Sequence, residues 1–223
     1  MKRKLLIGWF LLLLLSIPAV FIYQNYTKPI SYTKETGING YTRDDELGLA
    51  PSFDEDAIEP LSKESIEKYR NSAEYAASKG RLIIPTAGID LYIFEGINNE
   101  HLMMGVGEQE PRTVVSAGSV GNYILAGHSS VLHGADFVLT SLNKTHVGDS
   151  IFVTDRNNVY EYRVEATNYY HLTDTYPLNK ETNDALITIY TCETTGELYP
   201  QNRFVVEGRL VSTTPIEDSF INM

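Results

Sequence analysis

Residues 81–213 alternate short β-prone runs with turn-forming residues, and this pattern limits the folds open to the chain. The runs are rich in Val, Ile, Thr and Tyr, and Gly, Asn and Asp separate most of them. They cover 82–85, 89–94, 113–117, 122–126, 150–154, 159–166, 185–191 and 203–210, with a hairpin turn at 155–158 and short helices at 98–105 and 136–142. Such a series predicts a mainly β domain that closes, or nearly closes, into an eight-stranded barrel with few helices.

The N-terminus carries a strong membrane signal. Three basic residues, Lys2, Arg3 and Lys4, precede an uncharged run of 19 residues at 5–23. A helix of that length nearly matches a hydrocarbon layer of about 30 Å. We therefore predict a cytoplasmic N-terminus at 1–4, a transmembrane anchor at 5–23 and an extracellular remainder. The alternative, a cleavable signal peptide, requires a shorter apolar run and a small-x-small site, which the residues after Pro18 do not offer.

The segment 24–80 connects this anchor to the β-rich domain. Residues 24–60 are polar, broken by Gly and Pro and rich in acidic clusters, which predicts an extracellular linker. The alternative is that they fold back over an active site as a lid. From Ser62 to about residue 78, apolar side chains recur at helical spacing, which predicts a lead-in helix with Ser62 as its N-cap. The domain proper then covers 81–213, and 214–223 form a C-terminal tail.

Charge and motifs exclude several functional classes. The net charge is −11, with 18 basic and 29 acidic residues, so nucleic acid is not an expected partner. The sequence contains neither a phosphate-binding glycine loop nor a dinucleotide fingerprint. No His/Cys set has the spacing of a zinc site. We therefore predict no cofactor from these patterns.

Cys192 is the single cysteine of the chain, and it ends the predicted strand at 185–191. A thiol in this position is either a small hydrophobic core residue or a nucleophile. An exported chain with one cysteine cannot form an intramolecular disulfide, and its thiol is exposed to oxidation. This context favours a functional thiol.

Two further residues end or begin strands in the same way. His128 follows the predicted strand at 122–126, whereas the other four histidines lie in polar, loop-like surroundings. Arg203 opens the last predicted strand, and it would lie beside Cys192 if the two strands are antiparallel neighbours. Strand ends on one rim of a barrel converge, so an imidazole could activate the thiol and a guanidinium could stabilise an oxyanion. Alternatively, Arg203 is a surface arginine paired with Glu193 or Glu197.

These residues resemble the signatures of a known family. Ala126-Gly127-His128, Thr191-Cys192 and Arg203 are similar to the three motifs of the sortases, the membrane-anchored cysteine transpeptidases of Gram-positive bacteria. The resemblance covers about residues 81–212 and includes Gly148-Asp149 and the run 160–164. The fold it implies is the closed eight-stranded sortase barrel.

Class A is the subgroup that the chain most resembles. It has an N-terminal apolar run, no apolar span after Leu210, and too few residues between Val164 and Ala185 for the long inserted helix of class B. It also lacks the Asp-Pro-aromatic lid motif of class C. One departure is Tyr190, which stands where the family typically has an aliphatic residue.

The resemblance implies a mechanism and its residues. Cys192 would attack the Thr–Gly carbonyl of a Leu-Pro-x-Thr-Gly-like sorting signal at the C-terminus of a surface protein. Arg203 and the backbone N–H of Glu193 would stabilise the oxyanion, and His128 would protonate the leaving amine. An amine of a peptidoglycan precursor would then take the acyl group from the thioacyl enzyme, on the extracellular side of the cell membrane.

The same resemblance implies a substrate groove and raises the question of calcium. Ala126, Thr191 and Val205 would line the groove, with Leu172 on the preceding loop as a further candidate; the alternative for the aliphatic residues is core packing. Calcium binds some class A members, and three acids lie in the corresponding loop, although solvated glutamates are the alternative. They are Glu100, Glu108 and Glu110.

Two other functions stay open from the sequence. One is a pilin-linking or otherwise specialised sortase with a different sorting signal. The other is a non-catalytic, membrane-anchored β-barrel binding module whose cysteine is merely buried.

Overall fold

The computed structural model describes most of the chain after residue 49. The described residues are 50–70, 78–110, 114–130, 138–155, 157–174, 177–193 and 200–219. The anchor predicted at 5–23 and most of the predicted linker lie outside them. Within the described ranges, none of the helices combines the length and the apolar character that crossing a membrane requires.

Eight strands close into a barrel, which confirms the predicted mainly β fold. The strands are β1 (Gly80–Ile84), β2 (Ile89–Glu95), β3 (Gly105–Glu108), β4 (Gly121–Gly127), β5 (Ser150–Thr154), β6 (Asn158–His171), β7 (Ala185–Cys192) and β8 (Asn202–Pro215). Around the barrel their order is β1-β2-β3-β4-β7-β8-β6-β5. The helices are α1 (Lys63–Arg70), α2 (Asn99–Met104) and the 3-10 helices Glu55–Ala57, Pro85–Ala87, Leu139–Lys144 and Ile216–Asp218.

The pairing of β4, β7 and β8 decides what meets at one rim. Strands β4 and β7 are parallel neighbours, with Gly127 opposite Thr191. Strand β8 runs antiparallel to β7, with Arg203 opposite Cys192. The carboxyl ends of β4 and β7 and the beginning of β8 therefore share one rim of the barrel.

The sequence prediction was wrong about the third strand. Residues 114–117, the described part of the predicted strand 113–117, form turns and irregular structure, and β3 lies earlier in the chain. Strand β3 contains two glycines, Gly105 and Gly107. A Cβ at either position would lie 2.2 Å from a backbone oxygen, of Tyr92 and Gly96 respectively. The glycines are thus needed because two backbones approach closely.

The helix predictions agree with the described residues. Helix α1 follows Ser62, whose hydroxyl accepts a hydrogen bond from the N–H of Ser65 at 3.1 Å, as an N-cap does. The predicted continuation at 71–77 lies outside the described residues. Helix α2 falls within the predicted helix at 98–105. The helix predicted at 136–142 is a 3-10 helix, Leu139–Lys144, over its described part.

Two apolar clusters occupy the two faces of the β4–β7 wall. The larger cluster fills the barrel and includes Leu125 and Ile187. The smaller one consists of Ile97, Leu102, Ile124, Ala126, Tyr190 and Val205. Since successive side chains of a strand point to opposite faces, the smaller cluster lies on the outer face of the wall. We call it the outer cluster.

Candidate active site

Cys192 and Arg203 lie opposite each other at the rim. Cys192 is the last residue of β7, Arg203 is the second residue of β8, and the two are register partners. Directly opposed residues of an antiparallel pair have Cβ atoms about 4.5–5.5 Å apart and share a face. Cys192 is half-buried, so its thiol is neither sealed in the core nor fully solvated.

His128 comes to the same rim from β4. It directly follows Gly127, the last residue of β4 and the register partner of Thr191, just as Cys192 directly follows Thr191. Two hydrogen bonds join the strand ends: the Thr191 hydroxyl donates to the Gly127 carbonyl and the Ser129 hydroxyl donates to the Cys192 carbonyl, both at 2.7 Å. The structure therefore brings together the three residues that the sequence singled out.

Burial keeps the thiol and the imidazole neutral. His128 is 7% exposed, and desolvation lowers the pKa of its imidazole from 6.5 to about 4. Burial likewise raises the pKa of the Cys192 thiol, while the positive charge of Arg203 acts in the opposite direction. Near neutral pH, both side chains are therefore mainly uncharged in this form of the protein.

Arg203 is held by backbone oxygens. Its Nη1 donates to the carbonyl of Pro200 at 2.9 Å and to that of Asn202 at 3.3 Å. Two acids were considered as partners of Arg203. The Glu193 carboxylate accepts a hydrogen bond from the side-chain amide of Asn202 at 2.8 Å, and Glu197 lies outside the described residues. The guanidinium therefore lies at the rim with hydrogen bonds that a ligand oxygen could replace.

The backbone N–H of Glu193 does not fit its predicted role as it stands. It donates to the carbonyl of Asn202 at 2.9 Å, continuing the β7–β8 ladder. An oxyanion would have to break that bond to use this donor. Arg203 is the better placed donor in this structure.

The predicted groove residues occupy different places. Ala126 and Val205 belong to the outer cluster, and Thr191 is 3% exposed with its hydroxyl bonded to Gly127. Leu172 lies just beyond β6 and is 44% exposed, outside the cluster. The sequence analysis did not identify the partly buried residues that pack on the cluster, namely Ile58, Tyr170 and Leu178.

Residues 50–61, which we call the N-terminal segment, pack against this cluster through Ile58. Asn98 and Asn99 hold the segment: their side-chain oxygens accept hydrogen bonds from the N–H groups of Ser52 and Glu59, each at 2.7 Å. These residues were predicted as linker, with a lid as the alternative. In this structure they cover part of the outer cluster.

A polar chain crosses the same surface. The Tyr190 hydroxyl donates to Gln109 Oε1 at 2.7 Å, and Gln109 Nε2 donates to Glu55 Oε1 at 2.6 Å. Burial raises the pKa of the Tyr190 phenol well above 10, and the nearby charge of Glu55 raises it further. The sequence marked Tyr190 as unusual but gave no signal for Gln109.

The three candidate calcium ligands do not form a site. Glu108 is buried and accepts a hydrogen bond from the Tyr123 hydroxyl at 2.7 Å, whereas Glu110 is exposed and Glu100 half-buried. Within the described ranges, no group of three or more His, Cys, Asp or Glu side chains is arranged to hold a metal ion. We therefore assign no step to a metal.

Comparison with known proteins identifies the family of the chain. Residues 82–211 match the family model of the Sortase domain. A sortase A of Listeria monocytogenes is 29% identical over 171 residues, which cover 77% of this chain and 73% of the relative. A sortase A of Bacillus anthracis is 32% identical over 136 residues, 60% of each chain.

Solved structures show the same fold. The crystal structure of the Listeria monocytogenes sortase A matches with a TM-score of 0.56 at 29% identity, covering 62% of this chain and 90% of the other. Sortase C-1 from Actinomyces oris matches with a TM-score of 0.57 at 22% identity, covering 76% and 92%, and supports the fold alone. The chain therefore belongs to the sortase family, as a cysteine transpeptidase most similar to class A.

Proposed function

We propose that this protein is a membrane-anchored sortase that cleaves a Leu-Pro-x-Thr-Gly-like sorting signal between Thr and Gly and transfers the surface protein to a cell-wall amine. The observation that carries the proposal is the pairing of Cys192 with Arg203, with His128 directly after the end of the neighbouring strand β4. The apolar run at 5–23 would anchor the chain with its catalytic domain outside the cell.

In the first half-reaction, the Cys192 thiolate attacks the carbonyl carbon of the signal's threonine. Arg203 stabilises the negative oxygen of the tetrahedral intermediate after exchanging its bond to Pro200 for one to the oxyanion. The His128 imidazolium gives its proton to the glycine nitrogen. The C–N bond then breaks, leaving a thioester on Cys192 and a free amine on the departing fragment.

In the second half-reaction, the amine of a peptidoglycan precursor attacks the thioester carbonyl. Neutral His128 accepts the proton that the amine loses, and Arg203 again faces the negative oxygen. Collapse of the intermediate breaks the C–S bond and restores the thiolate, with an amide between the surface protein and the precursor. Over the full cycle, His128 loses and then regains one proton, and Cys192 gains and then loses the acyl group.

The protonation states determine how much enzyme is ready to react. Burial favours neutral thiol and neutral imidazole, so the thiolate–imidazolium pair is a minor population in this form. Transfer of the proton from Cys192 to His128 creates that pair without any net change in charge. Since Arg203 opposes the rise in the thiol pKa, it also increases the reactive fraction.

The outer cluster supports binding of the apolar part of the signal. Ala126 and Val205 offer an apolar surface close to the rim that carries Cys192, and Leu172 and Thr191 remain proposed contacts. Ile58 now packs on this surface, so the N-terminal segment must move aside before a peptide can occupy it.

A transpeptidation assay tests the proposal. The full-length protein in detergent is incubated with a fluorescence-quenched Leu-Pro-x-Thr-Gly peptide and triglycine, with and without calcium, and products are identified by mass spectrometry. We expect a threonyl–triglycine product that Cys192→Ala abolishes, while Val211→Ala, a change at a residue that is 52% exposed, has no effect. Cleavage that survives Cys192→Ala would exclude the proposed nucleophile.

The same assay separates the alternatives. A panel of other sorting signals distinguishes a specialised or pilin-linking sortase, which would process one of these and leave the reference peptide intact. Absence of any product, combined with a Cys192 that resists alkylation, would favour a binding module.

A further inference from the structure

The outer cluster contains a polar pair that the proposed reaction does not use. Tyr190 belongs to the cluster and is 8% exposed, yet it carries a hydroxyl. A buried hydroxyl requires a hydrogen-bond partner, and Gln109 supplies one at the edge of the cluster. Tyr190 and Gln109 therefore form a hydrogen-bonded polar pair at the edge of an otherwise apolar surface.

The hydrogen bonds define which group of the pair faces a ligand. The single proton of the Tyr190 hydroxyl goes to Gln109 Oε1 at 2.7 Å, which fixes the orientation of the amide. Gln109 Nε2 is then directed to Glu55 Oε1 at 2.6 Å, and the same oxygen lies 3.3 Å from the Tyr190 hydroxyl. The pair therefore presents the Gln109 Nε2–H group as a donor, and the Glu55 carboxylate accepts its hydrogen bond.

The carboxylate comes from a segment that a substrate would displace. Glu55 and Ile58 both belong to the N-terminal segment, and Ile58 packs on the outer cluster. Glu55 lies only three positions before Ile58 in the chain. A peptide that takes the place of Ile58 therefore also separates Glu55 from Gln109. The half-buried Gln109 amide then loses its charged acceptor, and a peptide that supplies a carboxylate there gives it a charge-assisted hydrogen bond in place of one to water.

We infer that Gln109, oriented by Tyr190, is a specificity-determining residue that binds an acidic side chain of the sorting signal, in the place that Glu55 holds in the free enzyme. The inference rests on the proposed function, since it assumes that the outer cluster binds the signal. Leu, Pro and Gly of the signal carry no side-chain acceptor, and Thr lies at the scissile bond. The acidic residue is therefore the variable residue x or the residue before Leu.

Matched peptides test this inference with the full-length enzyme. One pair carries Glu or Lys at x, a second pair carries Glu or Lys before Leu, and a reference peptide carries Ala at both positions. We expect a preference for Glu over Lys of about tenfold in kcat/KM at one of the two positions, expressed mainly in KM. Gln109→Glu keeps an oxygen for the Tyr190 hydroxyl but replaces the donor by an acceptor, so it should invert the preference towards Lys.

Asn157→Asp is the control, because it adds the same charge in the hairpin at the opposite end of the β6–β8 ladder from Cys192 and Arg203. It should leave the ratio between the Glu and Lys peptides as it is in the wild type. Equal use of both peptides at both positions, or a preference unchanged in Gln109→Glu, would overturn the inference while leaving the proposed function intact. Failure to process any of the five peptides would overturn both.

Discussion

At the scale of single residues, the surroundings of the proposed reacting groups determine their protonation states. His128 and Cys192 are desolvated by the same rim of the barrel, so burial acts against the charge of each. Arg203 is the cation that partly compensates for the thiolate. Removing one of these residues changes the protonation of the others as well as its own contribution.

The pKa of His128 links the site to the acid stability of the fold. In the folded protein it is about 4, below the ordinary 6.5, so between these pH values the unfolded chain binds more protons. Stability is therefore lost as the pH falls from 6.5 to 4, by about 3 kcal/mol from this group. Urea unfolding of the wild type and of His128→Gln at both pH values checks this. An equal loss of stability in both proteins would contradict it.

Arg203→Lys separates the effect of the guanidinium geometry from the effect of its positive charge. Lysine keeps the positive charge but loses the planar fork that directs two N–H groups at one oxygen. We expect kcat to fall roughly 10- to 100-fold, with a smaller change in KM, because the donor acts on the transition state. Steady-state kinetics measures this, and an unchanged melting temperature confirms that the fold is intact. An unaltered kcat would remove Arg203 from the oxyanion site.

The sequence was sufficient to predict that these three residues meet at one rim of the barrel, but it contained no signal for the segment that packs on the outer cluster. Cys192, His128 and Arg203 could be found because each ends or begins a β-prone run, and strand ends of a barrel meet. Gln109 and Ile58 could not, because their roles depend on which chain segments lie on the outer face of β4 and β7, and local spacing carries no information about that. The role of the Glu193 N–H stays a prediction, and its bond to the Asn202 carbonyl could not be foreseen because it depends on the β7–β8 register.

At the scale of secondary structure elements, the N-terminal segment occupies part of the surface proposed to bind the sorting signal. It is held by backbone hydrogen bonds to Asn98 and Asn99 and by the packing of Ile58. Strand β3, which precedes Gln109, was missed in the sequence because its two glycines resemble a break. The requirement for glycine at these two positions becomes clear only from the structure, in which the backbone of β2 and the residue after it approaches β3 closely.

Ile58→Ala should ease entry of the peptide. The substitution removes apolar contact from a partly buried side chain, which costs on the order of 1 kcal/mol of segment docking. Since bound segment and bound peptide exclude each other on the outer cluster, we expect KM to fall about fivefold with kcat little changed. Val120→Ala, at a residue that is 65% exposed, serves as control. A KM that stays the same or rises would show that the segment does not compete.

At the scale of the whole molecule, closure of the barrel holds the site. The interior cluster and the outer cluster lie on opposite faces of β7, so this strand is buried on both sides along most of its length. Packing on both faces therefore holds the strand that ends in Cys192.

Ile187→Ala tests how much packing on the inner face of β7 stabilises the fold. Ile187 is fully buried in the interior cluster, and truncating such a side chain typically costs about 2–5 kcal/mol. We expect the melting temperature to fall by roughly 10 °C. Differential scanning calorimetry measures the change, with the exposed Val211→Ala as the matched variant. A shift as small as that of the control would mean that the wall tolerates a cavity.

The parallel pairing of β4 with β7 also has a consequence for synthesis. A hairpin cannot join parallel neighbours, so the two strands must wait for the 57 residues between Gly127 and Ala185 to be made before they can associate. Arg203 and the strand that seals the wall follow later still. During synthesis, His128 and then Cys192 are therefore made before Arg203, and the three can meet only after β8 has been added beside β7.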